Sequence, residues 1–325
     1  MGRNSDCRIR EVEGQSVSTT ARRAPGIIPG RFQNWIGAVF EPYLYLGPAI
    51  ILIALIMFVP LVIGISFAFQ NYTLISSTGP SWTGLTNFEA LIDDKRFWGA
   101  ARNTLFWAVS SVSLQFFLGL GLALLLNRPF FGRRIVQALV LLPWAVPGFL
   151  TGLTWAWLFN PIIGPISHWM VALGLFEQPD NLLADPQNAM WGPVIANVWF
   201  GVPFFAVTLL AALQSIPDEL YEAGAMDGAS VWQSFTKITL PFLAPMIAIT
   251  VLLRTIWVAN FADLVYIMTG GGPANSTQIL PTYIFTTAFR KLDFGYASAI
   301  SVVLLLLLLL YAGILLRMRQ TLVKI

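Results

Sequence analysis

Apolar residues in this chain gather in long blocks instead of alternating with polar ones. Six blocks, at about 44–69, 101–126, 135–158, 190–213, 241–262 and 295–316, each reach the ~20 residues an α-helix needs to cross the hydrocarbon core of a bilayer. The pattern predicts an all-α integral membrane protein with six transmembrane helices. Several blocks contain proline: Pro48 and Pro60, Pro143 and Pro147, Pro193 and Pro203, and Pro245. Membrane helices tolerate proline where neighbours satisfy the freed carbonyls, and closely spaced prolines make kinks. The run Leu304 to Leu310 in the last block reads as lipid-facing filler.

Ahead of the blocks, residues 1–30 are polar and predict a disordered cytoplasmic tail. In 31–43, Phe32, Trp35, Ile36, Val39 and Phe40 recur at helical spacing between polar residues, which predicts a short helix lying in the membrane interface. Residues 44–325 form the six-helix domain.

Composition agrees with a lipid solvent. Only 11% of the 325 residues are charged and 56% are hydrophobic, against about 25% charged in soluble domains. The net charge of +3 comes from basic residues flanking the blocks, so it speaks for a membrane surface and not for nucleic acid. The one cysteine, Cys7, permits no internal disulfide and reads as incidental. No apolar stretch precedes it, so it resembles neither a signal peptide nor a lipoprotein cleavage site.

Orientation follows from Lys and Arg in the loops. The tail through Arg31, the 127–134 loop with Arg128, Arg133 and Arg134, and the C-terminal Arg317, Arg319 and Lys324 are basic. The 159–189 loop carries Glu177, Asp180 and Asp185 without a base. Both termini are therefore expected in the cytoplasm. The 214–240 loop, richer in acid than base, argues weakly the other way and is outvoted.

That loop carries the most information. Pro217 followed by Asp218 and Glu219 starts a helix, Gly228 interrupts it, Ser230 can cap a second short helix, and Pro241 opens the fifth span. Leu220, Ala223, Met226 and Trp232 have no lipid to meet on a cytoplasmic face, so they imply a protein partner.

The spacing Glu222-Ala223-Gly224, three residues, Gly228, nine residues, Ile238-Thr239-Leu240-Pro241 resembles the signature of the membrane subunits of bacterial binding-protein-dependent ABC importers. It departs only at Gly224, where the family has alanine. Gly84-Leu85-Thr86-Asn87-Phe88, Leu141-Leu142-Pro143, Thr269 through Pro273, Thr277, Tyr283, Ala288-Phe289 and Gly295 look like the sugar-permease branch, in the maltose and glycerol-phosphate group. The resemblance implies a type I importer permease fold in the cytoplasmic membrane. It also implies a coupling loop at 214–241, with Glu222, Ala223, Gly224, Asp227, Gly228, Ile238, Leu240 and Pro241 docked on an ATPase. The implied partners are a second permease, two ABC ATPase subunits and an extracytoplasmic solute-binding protein.

Catalysis is not expected of the chain. It has no phosphate-binding Gly-x-x-x-x-Gly-Lys run, so ATP and its magnesium belong to a partner and the chain holds no cofactor. His168 is its only histidine, which excludes a histidine-based metal centre and disfavours hydrolytic catalysis. Gly270 to Gly272, followed by Pro273, reads as a tight turn.

Sugars are held by aromatic faces and by amide or carboxylate hydrogen bonds. Candidates for the pathway are Asn197, Trp199 and Phe204 in the fourth span, Trp257, Asn260 and Asp263 around the fifth, and Tyr283. By the resemblance, Phe204 and Asn260 match positions near substrate. Arg254, deep in the fifth span, needs a partner, and an ion pair with the companion permease or binding protein is expected. The expected cargo is a di- or oligosaccharide. Alternatives are glycerol phosphate or another small polar solute carried by an ABC permease, and, ranked lower, a secondary transporter.

Overall fold

A computed structural model describes Tyr43 and residues 45–75, 79–174 and 182–322. The expected tail 1–30, the expected interfacial helix 31–43 apart from Tyr43, and Cys7, Glu177, Asp180 and Lys324 lie outside the described residues. The chain divides at Pro60 into two compact units. The first contributes the start of helix α1, Tyr45–Phe67. Pro48 sits in it without a break, and a wide π turn, Ala54–Phe58, comes just before Pro60. An extra residue in the turn keeps a proline ring clear of the carbonyl it would otherwise strike.

The second unit begins with the end of α1 and a small antiparallel hairpin, β1 Gln70–Asn71 and β2 Ser81–Trp82. The helices α2 Thr86–Asp93, α3 Lys95–Asn127, α4 Arg133–Ala145, α5 Gly148–Leu158, α6 Pro165–Ala172 and α7 Trp191–Leu213 follow. Next come α8 Asp218–Met226, α9 Val231–Ala259, α10 Ala262–Thr269, α11 Leu280–Phe285 and α12 Phe294–Leu322. Among the described residues five helices are long and apolar enough to cross a membrane, or six if α4 and α5 make one span. That pair is bent by 94°. Prolines at 143 and 147 mark the place, because the residue before a proline is pushed out of the helical region, and Val146 is extended. Where a single kinked third span was expected, the structure thus has two helices with a sharp break between them.

Small residues set the packing. A Cβ on Gly119 of α3 would overlap Phe205 of α7, so these two helices approach closely. Gly148 and Gly152 likewise let α5 close on Phe261 and Ile267. Around α3, α7 and α9 lies the larger core, with Trp107, Phe159, Phe205, Leu209 and Leu243 buried. A second cluster joins the ends of α1 and α2 to α3, α11 and α12 through Ala68, Leu91, Phe97, Leu280, Tyr283 and Ile300. Leu304 belongs to it and Leu308 packs on it, so the leucine run is not all filler; Leu306, Leu307, Leu309 and Leu310 are exposed.

Sequence motifs outside the 214–241 loop turn out to be joints. Asn87 Nδ2 donates to the carbonyls of Ala68 and Gln70 at 2.9 Å each, and Gly295 lies where any Cβ would strike Gln70 O. The glycine run makes the expected tight turn, with Gly270 and Gly271 at φ +61° and +90°. Thr277 Oγ1 closes it on Gly272 O at 2.7 Å.

Candidate functional site

The 214–241 segment folds as helix, bend, helix. Pro217 caps α8, whose first turn holds Asp218 and Glu219 against the positive end of the helix dipole. Gly228 ends it at φ +75°, a conformation natural to glycine, and Ala229 N–H returns to Gly224 O at 2.8 Å. Ser230 then forms a full capping box: its Oγ accepts from Gln233 N, and its own N–H donates to Gln233 Oε1 at 2.8 Å. Here the outcome departs from expectation. Pro241 does not open a new helix, because Val231 through Ala259 is one continuous helix. A π turn over Phe235–Thr239 absorbs the proline, as before Pro60.

The two arms of the bend hold each other. Tyr221 Oη and Thr239 Oγ1 share a hydrogen bond of 2.9 Å. Leu220, Tyr221 and Ile238 are partly buried and pack on the core. A Cβ on Gly224 would lie 3.2 Å from Ile238 Cδ1; the departure from alanine leaves room for that isoleucine. The opposite side is open. Met226 is 89% exposed, Val231 83% and Trp232 71%, with Glu222, Ala223, Asp227 and Leu240 exposed around them.

Arg254 has its partners inside the chain, which corrects the expected intersubunit ion pair. It is buried; its Nε donates to Gln115 Oε1 at 2.7 Å and its Nη2 to Asn197 Oδ1 at 3.2 Å. Gln115 Nε2 donates to Asn197 O at 2.9 Å, and the guanidinium lies 5.7 Å from the Phe200 ring centre. Gly201 makes the room, since a Cβ there would overlap both Arg254 and Gln115. The knot ties α3, α7 and α9 at membrane depth with no carboxylate, the charge being solvated by amide oxygens and a ring face.

Asn197 is therefore fully buried and occupied by Arg254. Tyr283 is also buried, its hydroxyl donating to Asp94 Oδ2 at 2.6 Å. Phe204 is buried as well, whereas Trp199, Trp257, Asn260 and Asp263 are exposed. Phe204 lies between Trp257 and Trp144, at ring-centre distances of 5.2 and 6.0 Å. Trp199 meets Trp155 at 6.0 Å. Asn260 donates to Ile256 O at 2.9 Å and is exposed, as is Asp263 in the first turn of α10. The structure thus brings Phe204 and Trp257 together, while Asn197 is taken up by Arg254 and Tyr283 by Asp94.

Two residues had no place in the sequence reading. Gln115 is an amide inside an apolar block, which was the available signal. Asp94 caps α3 and takes hydrogen bonds from Tyr283, Tyr296 (2.7 Å) and Arg96 N (2.8 Å). Burial opposes its ionisation, yet these bonds hold its pKa below the ordinary value. Burial and the same carboxylate push the Tyr283 hydroxyl up. Among the described residues no group of three or more His, Cys, Asp or Glu side chains could hold a metal ion.

The sequence profile described as "Binding-protein-dependent transport system inner membrane component" matches residues 115–320. The chain belongs to this family. The permease is 39% identical to the trehalose/maltose transport system permease protein of Thermococcus litoralis over 70% of this chain and 76% of that one. It is 34% identical to the diacetylchitobiose uptake system permease protein of Streptomyces coelicolor, over 93% and 90%. In fold it matches a bacterial ABC transporter structure described as involved in the import of the acidic polysaccharide alginate. The TM-score is 0.76 over 90% of this chain and 99% of that one, at 24% identity.

The permease therefore has the type I ABC importer fold and is a multi-pass protein of the inner membrane. It is a transport subunit and not an enzyme, ATP hydrolysis belonging to separate subunits. Membership also displaces the secondary-transporter alternative.

Proposed function

We propose that the permease is one half of the membrane channel of an ATP-driven importer for a di- or oligosaccharide. It works with a second permease, two ABC ATPase subunits and an extracytoplasmic solute-binding protein. Six spans place both termini in the cytoplasm, the broken pair α4–α5 counting as one. The tail 1–30, the interfacial helix 31–43 and the domain 44–325 keep the divisions read from the sequence. The chain holds no cofactor; ATP and magnesium are used by the partner ATPases.

The observation that carries this function is the exposed apolar side of the bend at Gly228. Met226, Val231 and Trp232 stand open on a segment whose own hydrogen bonds are closed and whose second arm runs unbroken into a membrane-spanning helix. When ATP draws the two ATPases together, a subunit gripping Met226 and Trp232 moves α9 with it, because no loose joint separates the docked arm from the span. That rigid-body motion changes which side of the pathway is open. Glu222 pairs with a basic group of the ATPase, and Ala223, Gly224, Asp227, Gly228, Ile238, Leu240 and Pro241 shape the lever. Sugar passes the aromatic group around Phe204, Trp257 and Trp199, with Asn260 and Asp263 as hydrogen-bonding groups.

Sugars are named as cargo for the curated relatives above. Glycerol phosphate is less favoured, since Arg254 is already engaged by Gln115 and Asn197. The test is Gly228→Pro in the reconstituted complex. Proline holds φ near −65° where this site has +75°, so the variant inserts normally and loses uptake. Normal uptake would overturn the coupling role.

A further inference from the structure

Between the start of α4 and the end of α7 lies a cavity of about 390 Å³. Its mouth carries Arg133, Arg134, Gln137 and Gln214, and no acidic residue lines it. Arg133 Nε is buried without a hydrogen-bond partner, and neither guanidinium has an ion pair among the described residues. Two cations at a helix start oppose the helix dipole. Gly132 caps α4 with no side chain, and its first turn holds no acid to offset them. Every polar group of the mouth thus offers donors. The rest of the wall is apolar, formed by Leu126, Val140, Leu141, Val207, Leu210 and Ala211.

We infer that this cavity binds the phosphate headgroup of an anionic phospholipid, with the upper part of an acyl chain along the apolar wall. Either guanidinium can chelate phosphate oxygens through its terminal nitrogens. A free inorganic anion would satisfy the mouth but has no use for the wall. Basic pockets between membrane helices suit anionic headgroups for this reason. Naming the leaflet as cytoplasmic rests on the orientation proposed above; the site itself does not. Gln214 caps the C-terminal end of α7, three residues before the Pro217 that starts the lever, so a bound lipid touches the joint between span and lever.

The full importer, purified with its partner subunits, is titrated with phosphatidylglycerol, with phosphatidylcholine of the same chains, or with inorganic phosphate, and retained ligand is counted by native mass spectrometry. The wild type retains phosphatidylglycerol over phosphatidylcholine. Arg133→Gln and Arg134→Gln each weaken that retention about fivefold, the worth of one basic residue at a membrane surface. Ala211→Phe keeps both charges, fills the wall and weakens retention comparably, while size-exclusion chromatography shows each variant assembled. Equal retention by Ala211→Phe and wild type would reduce the effect to surface attraction and overturn the site. Displacement of the lipid by inorganic phosphate at equal concentration would overturn the lipid assignment, and unchanged retention in all three variants would overturn both.

Discussion

Helix α9 meets polar and apolar mismatch in opposite ways along its length. Within its apolar span it carries a charge, Arg254, that the chain itself encloses with Gln115, Asn197 and Phe200. At its beginning, beyond the π turn, it carries apolar side chains, Val231 and Trp232, that the chain leaves open. The first mismatch is resolved by folding and so reports on the integrity of the bundle. The second is left open by folding, and under the proposed function another protein covers it. A polar group in the wrong solvent points to a partner only once the chain's own residues have been searched for one.

The contrast breaks most sharply at Arg254. Arg254→Met keeps the bulk and removes both donors, leaving Gln115 Oε1 and Asn197 Oδ1 buried and unpaired, at a cost of about 1–3 kcal/mol for each acceptor. Thermal unfolding of the purified complex registers this as a lowered midpoint, and adding Gln115→Leu restores part of it, since an apolar replacement no longer strands an acceptor. Trp232→Ala in the same assay shifts stability by about 0.5 kcal/mol or less, as for exposed sites generally, while weakening the hold on the ATPase.

The smallest effect concerns Asp94, which the chain also satisfies internally but near the surface. Its folded pKa lies below the ordinary carboxylate value, so its contribution is present above the unfolded pKa and is lost as pH falls through the lower folded one. The stability gap between wild type and Asp94→Asn, about 1 kcal/mol given its partial exposure, should stay constant from neutral pH down to about 4 and close below that. A gap that closed near pH 6 would contradict the assignment.

Much of this was legible in sequence because it depends on local signals. Gly228 and Ser230 act within a few residues of one another, and the spans announce themselves by length. Pro143 and Pro147 gave the place of the break but not its 94°, which follows from the packing of Gly148 and Gly152 against α10 and its approach. Pro241 misled because a π turn can carry a helix past a proline. Gln115 and Asp94 escaped because their partners lie 139 and 189 residues away along the chain, a distance at which no spacing rule operates.

The central claim is that the open side of the bend is held by an ATPase subunit. With Cys7 replaced by serine, Met226→Cys provides a single reactive position on that side. In membranes containing the full importer, a short thiol-directed crosslinker at 226 should capture an ATPase subunit, whereas one at an exposed residue of α10 such as Asp263→Cys should not. Capture at 263 and none at 226 would contradict the account.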